Sequence, residues 1–364
     1  MARSGRIACF VTPHGFGHAA RASALLAALA ERLPGLEIEI WTTVPRWFFE
    51  DSLGFPFLYR ELTCDVGLVQ RSPVEEDLPA TVAALERFWH ADTEKARTRE
   101  VAEELVARGT RLVLGDIAPF GLVAAREAGV PSVLVENFTW DWIYEPLVEG
   151  EPLLAPWVPF LRDRFALADL HLQLEPVCAF APGSLRIPPI ARAPRQSREA
   201  VRERLEIPTG EALVLVTLGG VEHRLEIVAP LFETNGAVFV LPGASEREEK
   251  RENLRLLPHH SPIYHPDLVA AADLVMGKLG YSTVAEAVAA GTGMLYVPRP
   301  GFRESAVLEA YVRERLPAAA ISHSDLATGR WVGRVPELLE RPRPARSPAA
   351  GAAIAAEAIA RRFL

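Results

Sequence analysis

Short, unbroken apolar runs alternate with longer amphipathic stretches along most of this chain. "RIACFVTP" reads as a strand buried on both faces, and "HAARASALLAALAERL" directly after it as an amphipathic helix. "LEIEIWTTV" is a second strand, and "DLPATVAALERFWHADTEKARTREVAEELVARG" a long helical region. "TRLVLGDI", "FGLVAAREAG" and "PSVLVENF" then read as strand, helix and strand. Continuous apolar strands separated by helices predict a parallel sheet covered on both faces.

The rhythm pauses at "IPPIARAPRQS", Ile187 to Ser197, which is rich in proline and polar residues and reads as a linker. It then restarts with strands "EALVLVTLGG", "AVFVLPG", "DLVMGK" and "GMLYVPRP". Helical patterns "PDLVAAA", "STVAEAVAAG" and "ESAVLEAYVRERL" lie between and after them. The expectation is an α/β protein with two doubly wound domains, residues 1–190 and 191–345. A terminal helix within 346–364, after the loop-rich "ERPRPARSP", is expected to pack back on the first domain. Ligands of such sheets bind beyond the strands' carboxyl ends, so the expected site is a cleft between two facing sheets.

Composition narrows the function classes. The 364 residues are 49% apolar, enough for two cores, and carry a formal charge of −8. That acidity argues against a nucleic-acid partner. Cys9, Cys64 and Cys178 are odd in number, widely spaced and form no CxxC, which fits a reducing cytoplasm rather than a disulfide framework. No signal peptide is read at the start, and no run approaches the ~18 apolar residues of a membrane span. "WTTVPRWFFEDSLGFPF" is the apolar stretch that suggests an acceptor lid or a peripheral membrane contact. Its Glu50 and Asp51 weigh against the membrane. Scarce lysine, with much Ala, Pro and Arg, reads as high-GC bacterial coding bias.

Chemistry enters at "VTPHGFGHAARA", Val11 to Ala22, a strand-to-helix turn with two histidines. It lacks the third glycine of a dinucleotide fingerprint and the GK[ST] of a P-loop. His14 and His18 lack further ligands nearby, so no metal is assigned. Gly15 and Gly17 allow a sharp turn and a close ligand approach. His18 then sits in the first helical turn as a candidate general base, the alternative being a capping or packing histidine. Asp116 leaves an apolar strand and would either orient His18 or cap the following helix.

The second half carries an anion signal in "MGKLGYSTVAEAVAAG", Met276 to Gly291. A strand ends there and a helix begins near Ser282 and Thr283, which aims amides and hydroxyls at one spot suited to a diphosphate. Gly280 lies in that loop, and Lys278 adds charge or snorkels. Glu286 lies one turn into the helix, where it either accepts hydrogen bonds from a ribose diol or closes a capping box with Thr283. Gly219 and Gly220 end another strand and would admit phosphate close to the backbone. In "ENFTWDWIY", Trp140 and Trp142 either line a cleft mouth and stack on a sugar or acceptor, or pack in the core. His14 and Phe16 would line the acceptor side of the turn.

These motifs resemble the GT-B glycosyltransferases, built of two Rossmann-like domains facing across a cleft. "LGYSTVAEAVAAG" followed by "LYVPRPGFRES" resembles the donor segment of nucleotide-sugar transferases such as the bacterial cell-wall lipid-precursor enzyme. The resemblance implies Thr283 on diphosphate, Glu286 on ribose and Glu304 on the donor sugar, and the backbone near Ile263 and Tyr264 in "SPIYHPDL" is expected to face the base. Ser305 stands where that family places Gln. "GFGHAARA" resembles the acceptor-domain start that carries the base, with Asp116 at the place of its partner. "TPHGFGHAAR", "SVLVENFTWDWIYEPL" and "MGKLGYSTVAEA" look most like the glycosyltransferase-like N-terminal half of plant L-arabinokinases and stand-alone bacterial relatives. The kinase half of those plant proteins is missing, so sugar-kinase activity is not expected.

The expectation is therefore a metal-independent glycosyltransferase. It would move sugar from a nucleoside-diphosphate donor, with UDP-sugar favoured, to an acceptor hydroxyl. The nucleotide sugar is a co-substrate, and no separate cofactor is expected. The rival readings are a nucleotide-sugar 2-epimerase and a non-catalytic nucleotide-sugar-binding protein.

Overall fold

The computed structural model describes residues 5–72, 75–217, 231 and 234–364. It divides into two compact units. The first comprises Met1–Arg71, Glu75–Ala191 and Ala350–Leu364, and the second is centred on Arg192–Ala349.

The first unit is built on strands β1 (Arg6–Val11), β2 (Glu37–Thr42), β3 (Leu58–Glu61), β6 (Thr110–Asp116), β7 (Ser132–Glu136), β8 (Leu170–Leu174) and β9 (Leu185–Ile187). A separate two-stranded sheet joins β4 (Gln70–Ser72) to β5 (Glu75–Glu76). The large sheet is parallel throughout, in the order β3-β2-β1-β6-β7-β8-β9. The order reverses direction at β1 and β6, so successive crossovers depart to opposite sides there. That is where a doubly wound sheet opens a crevice at its carboxyl edge. The register sets Val11 of β1 opposite Asp116 of β6.

Strand cores such as Ile7–Val11 and Leu112–Leu114 are buried on both faces, as their continuous apolar character requires. The helix Phe16–Arg32 buries Ala19, Ala20, Ala22, Leu25, Leu26 and Leu29. Gly15 starts it at φ 78°, a left-handed conformation open to glycine.

Packing sets three local features that the sequence left open. The long helical region is two helices, Leu78–Phe88 and Ala91–Ala107. The break turns the buried Trp89 onto Phe88, Phe120 and Phe160. The alternating "TWDWIY" run forms a short helix, Trp140–Tyr144. The apolar stretch after β2 holds the helix Arg46–Ser52, with Phe48 and Phe49 buried, so those rings serve the core.

The second unit repeats the design. Its strands are β10 (Ala212–Thr217), β11 (Ala237–Pro242), β12 (Glu249–Arg251), β13 (Leu254–Leu257), β14 (Leu274–Lys278), β15 (Gly293–Val297) and β16 (Ala318–Ala320). Their order is β12-β13-β11-β10-β14-β15-β16, and β12–β13 is the antiparallel pair. The reversal falls between β10 and β14, where Thr217 pairs with Gly277. Helices His265–Ala271, Tyr281–Ala290 and Glu304–Arg315 follow the strand ends. The core is Val214, Val216, Phe239, Leu241, Leu274, Met276, Leu295 and Val297, packed on Trp331. Gly219 and Gly220 lie outside the described residues.

The terminal helix Gly351–Phe363 belongs to the first unit, although it follows the second in sequence. It lies on the Phe16–Arg32 helix, where Arg32 meets Glu357 at 3.4 Å. Gly351 is required at its start, because a Cβ there would fall 2.1 Å from the Pro188 carbonyl oxygen.

Candidate functional site

Each unit presents a polar cluster at the carboxyl edge of its sheet. In the first unit, the chain leaves β1 at Val11, turns through Pro13–Gly17 and enters the Phe16–Arg32 helix. His18 and Arg21 stand three residues apart on that helix, hence on one face. Both are buried, and both point to Asp116 at the end of β6.

His18 Nδ1 lies 3.0 Å from Asp116 Oδ1. Arg21 grips the same carboxylate with two hydrogen bonds, Nε to Oδ2 at 2.8 Å and Nη2 to Oδ1 at 2.6 Å. Arg21 Nη1 donates to Asn137 Oδ1 at 2.8 Å. Burial alone would push the Asp116 carboxyl up. The charge and hydrogen bonds of Arg21, aided by His18, outweigh it and hold the group below its ordinary range. An ionised carboxylate only accepts, so the Asp116 contact favours the imidazole tautomer with the proton on Nδ1, while Arg21 Nη2, 3.1 Å from the same nitrogen, donates to Asp116 Oδ1. Nε2 is then the basic nitrogen. Asp116 does not cap the next helix, whose N-cap is Ala118.

His14 takes a different place. Its ring meets Trp140 edge-on at 5.1 Å. Trp140 has no exposed surface, which corrects the expectation that it lines an acceptor surface. Its indole N–H instead donates to Asp65, a buried carboxyl that also accepts from Thr12 Oγ1 at 2.8 Å. Trp142 is half-buried. Phe16 is half-buried too, with its ring on Trp47 and Phe48 at 5.5 and 4.8 Å.

In the second unit, β14 ends at Lys278 and the Tyr281–Ala290 helix begins after Gly280. Gly280 is the N-cap, with no side-chain cap, so the Thr283–Glu286 capping box is not formed. Ser282 is buried and Thr283 half-buried in that first turn. Gly277 is needed where it stands, since a Cβ would meet the Thr217 carbonyl oxygen at 1.8 Å.

Glu286 is buried, and both its oxygens are engaged. Oε1 accepts from Arg192 Nε at 2.9 Å, and Oε2 lies 3.3 Å from His265 Nδ1. Burial would raise its carboxyl, but Arg192 and then His265 hold it below its ordinary range. A carboxylate has about four lone-pair sites, so a diol can still be received beside these partners. The stretch read as a linker is thus part of this cluster. Asp267 Oδ1 also accepts the backbone N–H of Arg195 and of Gln196, and the Arg195 guanidinium covers the Tyr264 ring at 4.0 Å. Both backbone groups of Ile263 are engaged by the Ser261 hydroxyl. Glu304, also buried, is the first residue of its helix. Ser305 Oγ accepts the Arg299 N–H at 3.1 Å, a use of the side chain in holding the preceding loop.

Sequence reasoning missed Arg21, Asn137, Asp65, Arg192 and His265. Arg21 alone left a signal, an arginine on the apolar face of "HAARASALLAALAERL" three residues after His18. Among the described residues no cluster of three metal-ligating side chains occurs. No helix among them is long and apolar enough to cross a membrane.

No family model matches the chain. L-arabinokinase of Arabidopsis thaliana is 29% identical over 331 residues, 89% of this chain and 31% of that protein. The chain thus spans less than a third of that relative's length. An uncharacterized glycosyltransferase of Methanopyrus kandleri is 24% identical over 249 residues, 64% of this chain and 69% of that protein. Among solved structures, the glycosyltransferase of kitacinnamycin matches with a TM-score of 0.65 at 17% identity, over 100% of both chains. Arabidopsis thaliana UGT89C1 complexed with UDP matches with a TM-score of 0.58 at 13% identity, over 99% of this chain and 94% of that one. At such identities the likeness speaks for architecture, and the two Rossmann-like units of this chain have the GT-B glycosyltransferase fold.

Proposed function

We propose that the protein is a glycosyltransferase that moves a sugar from a nucleoside diphosphate, UDP in the favoured reading, to an acceptor hydroxyl without a divalent metal. The observation that carries the reading is the His18–Asp116 contact of 3.0 Å at the reversal point of the first sheet. It supplies an oriented imidazole whose Nε2 is assigned to take the proton. The acceptor O–H gives its proton to Nε2, and its oxygen attacks the anomeric carbon. The bond from that carbon to the diphosphate breaks, and the nucleoside diphosphate leaves with the electron pair.

Leaving charge needs fixed donors. Ser282, Thr283 and the amino end of the Tyr281–Ala290 helix are assigned to the diphosphate, with Lys278 at the strand end before them. Glu286, held ionised by Arg192 and His265, is assigned to the ribose diol. Glu304 is assigned to the donor sugar. Phe16 and Trp142 are assigned to the acceptor. The relative named as a glycosyltransferase and the fold neighbour complexed with UDP support this reading. The arabinokinase name does not extend it to phosphoryl transfer, because the likeness covers 31% of that protein.

The test joins two measurements. A thermal-shift panel of UDP, GDP, ADP and TDP, with their sugars, ranks donors, since native-state binding raises stability. Transfer is then followed in EDTA, with the best donor and a panel of hydroxyl acceptors. His18→Ala is expected to keep donor binding and to lose about 10²- to 10⁴-fold in turnover, the usual worth of a general base. Full turnover in His18→Ala sinks the reading. Sugar inversion without acceptor would establish an epimerase instead.

A further inference from the structure

We propose that Arg21 is a positioning residue for the His18 base: it fixes the Asp116 carboxylate and holds the imidazole in its neutral state. The inference rests on the proposed base role of His18. Its charge argument stands on the geometry of the first unit alone.

Asp116 is fully gripped by one side chain. The planar guanidinium binds both oxygens, and Asn137 holds its third nitrogen from the segment after β7. Such a fork fixes the carboxylate plane, which a single imidazole contact would leave free to rotate. The position of Oδ1 then determines where the His18 ring can stand.

The second consequence is electrostatic. Arg21 is always protonated, so Arg21 and Asp116 already cancel. Arg21 Nη2 also lies 3.1 Å from His18 Nδ1. A second proton on His18 would leave a net positive cluster of which 1% of Arg21 and 1% of Asp116 is exposed. Low-dielectric surroundings make that arrangement costly. Without Arg21, the Asp116 carboxylate would face His18 with its charge no longer offset by that guanidinium, and would favour imidazolium. Phe138 meets the His18 ring edge-on at 6.2 Å, Asn137 is uncharged, and Cys9 on β1 is kept as a neutral thiol by burial and by Asp116. A neutral imidazole is the form that accepts the acceptor's proton, so Arg21 keeps the base in its working state toward acid pH.

The test is an NMR titration of the His18 imidazole in the full chain, without substrate. In Arg21→Gln the midpoint is expected to rise by about one pH unit, because an opposite charge then acts unopposed. In Asp116→Asn, which leaves Arg21 uncompensated, it is expected to fall. In Arg21→Lys the charge stays and the fork is lost, so the midpoint holds while turnover drops about tenfold or more, as for a loosened catalytic geometry. A midpoint unchanged in both Arg21→Gln and Asp116→Asn overturns the inference. If Arg21→Gln does not fold, the direction in Asp116→Asn decides alone. Loss of all transfer in the wild type, with both shifts present, would instead remove the glycosyltransferase reading and leave the charge coupling in place.

Discussion

Asp65 has no part in the proposed transfer, yet it is among the most perturbed groups in the protein. Burial raises its carboxyl to about 7, against the opposing bonds from Thr12, the Val66 and Gly67 amides and Trp140. An acid raised in this way is protonated in the folded chain and ionised in the unfolded chain between pH ~4 and ~7. Folding is therefore penalised progressively as pH rises through that window. Asp65→Asn removes the titration, so the variant should gain stability relative to wild type from pH 4 to pH 7. The full swing is on the order of 4 kcal/mol. Urea denaturation at the two pH values measures it, and a pH-independent difference between the proteins would refute it. The opposite sign holds for Asp116 and Glu286, whose stabilisation is lost as pH falls through their depressed values. At this scale His18 and Asp116 were legible because each sits at a strand or helix end beside glycine or an apolar run. Arg192 was not legible, since a proline-rich context gives no sign of a carboxylate 94 residues away.

At the scale of elements, period and punctuation located most strands and helices. They failed where packing overruled local pattern. Trp89 breaks a helix that its flanking sequence would continue, and Trp140, offered as a cleft-lining ring, is buried with its ring on His14. Where β10 pairs with β14, position 277 has room only for glycine. Gly277→Ala sets a methyl against the Thr217 carbonyl oxygen, and backbone cannot yield as a side chain can. The expected cost is about 1–3 kcal/mol, as for an overpacked core. Chemical denaturation reads it. The same substitution displaces the loop to Tyr281, so UDP-induced thermal stabilisation should fall with it. A variant as stable as wild type would show that the two strands separate freely there.

Over the whole molecule, chain order and spatial order part company at the C-terminal helix. Residues 350–364 complete the first unit, burying Ala355, Ala356 and Ile359. Deleting them should cost the first unit about 3 kcal/mol through exposed apolar surface. Six of the seven tryptophans belong to that unit and Trp331 to the other, so tryptophan fluorescence during urea unfolding follows the loss. An unchanged midpoint would mean the helix adds nothing to the unit's stability.

Local sequence alone determined the α/β alternation, the two glycine turns at strand ends and the candidacy of His18, Asp116, Thr283 and Glu286, because helix and strand periods and turn chemistry are short-range properties. Tertiary structure decided what each charged side chain meets. The parallel register sets β6 beside β1 and brings Asp116 to Arg21, 95 residues apart, and the second unit likewise brings Arg192 to Glu286. No short-range pattern encodes such partners, since strand order is fixed by burial of whole sheet faces and not by the residues at their ends.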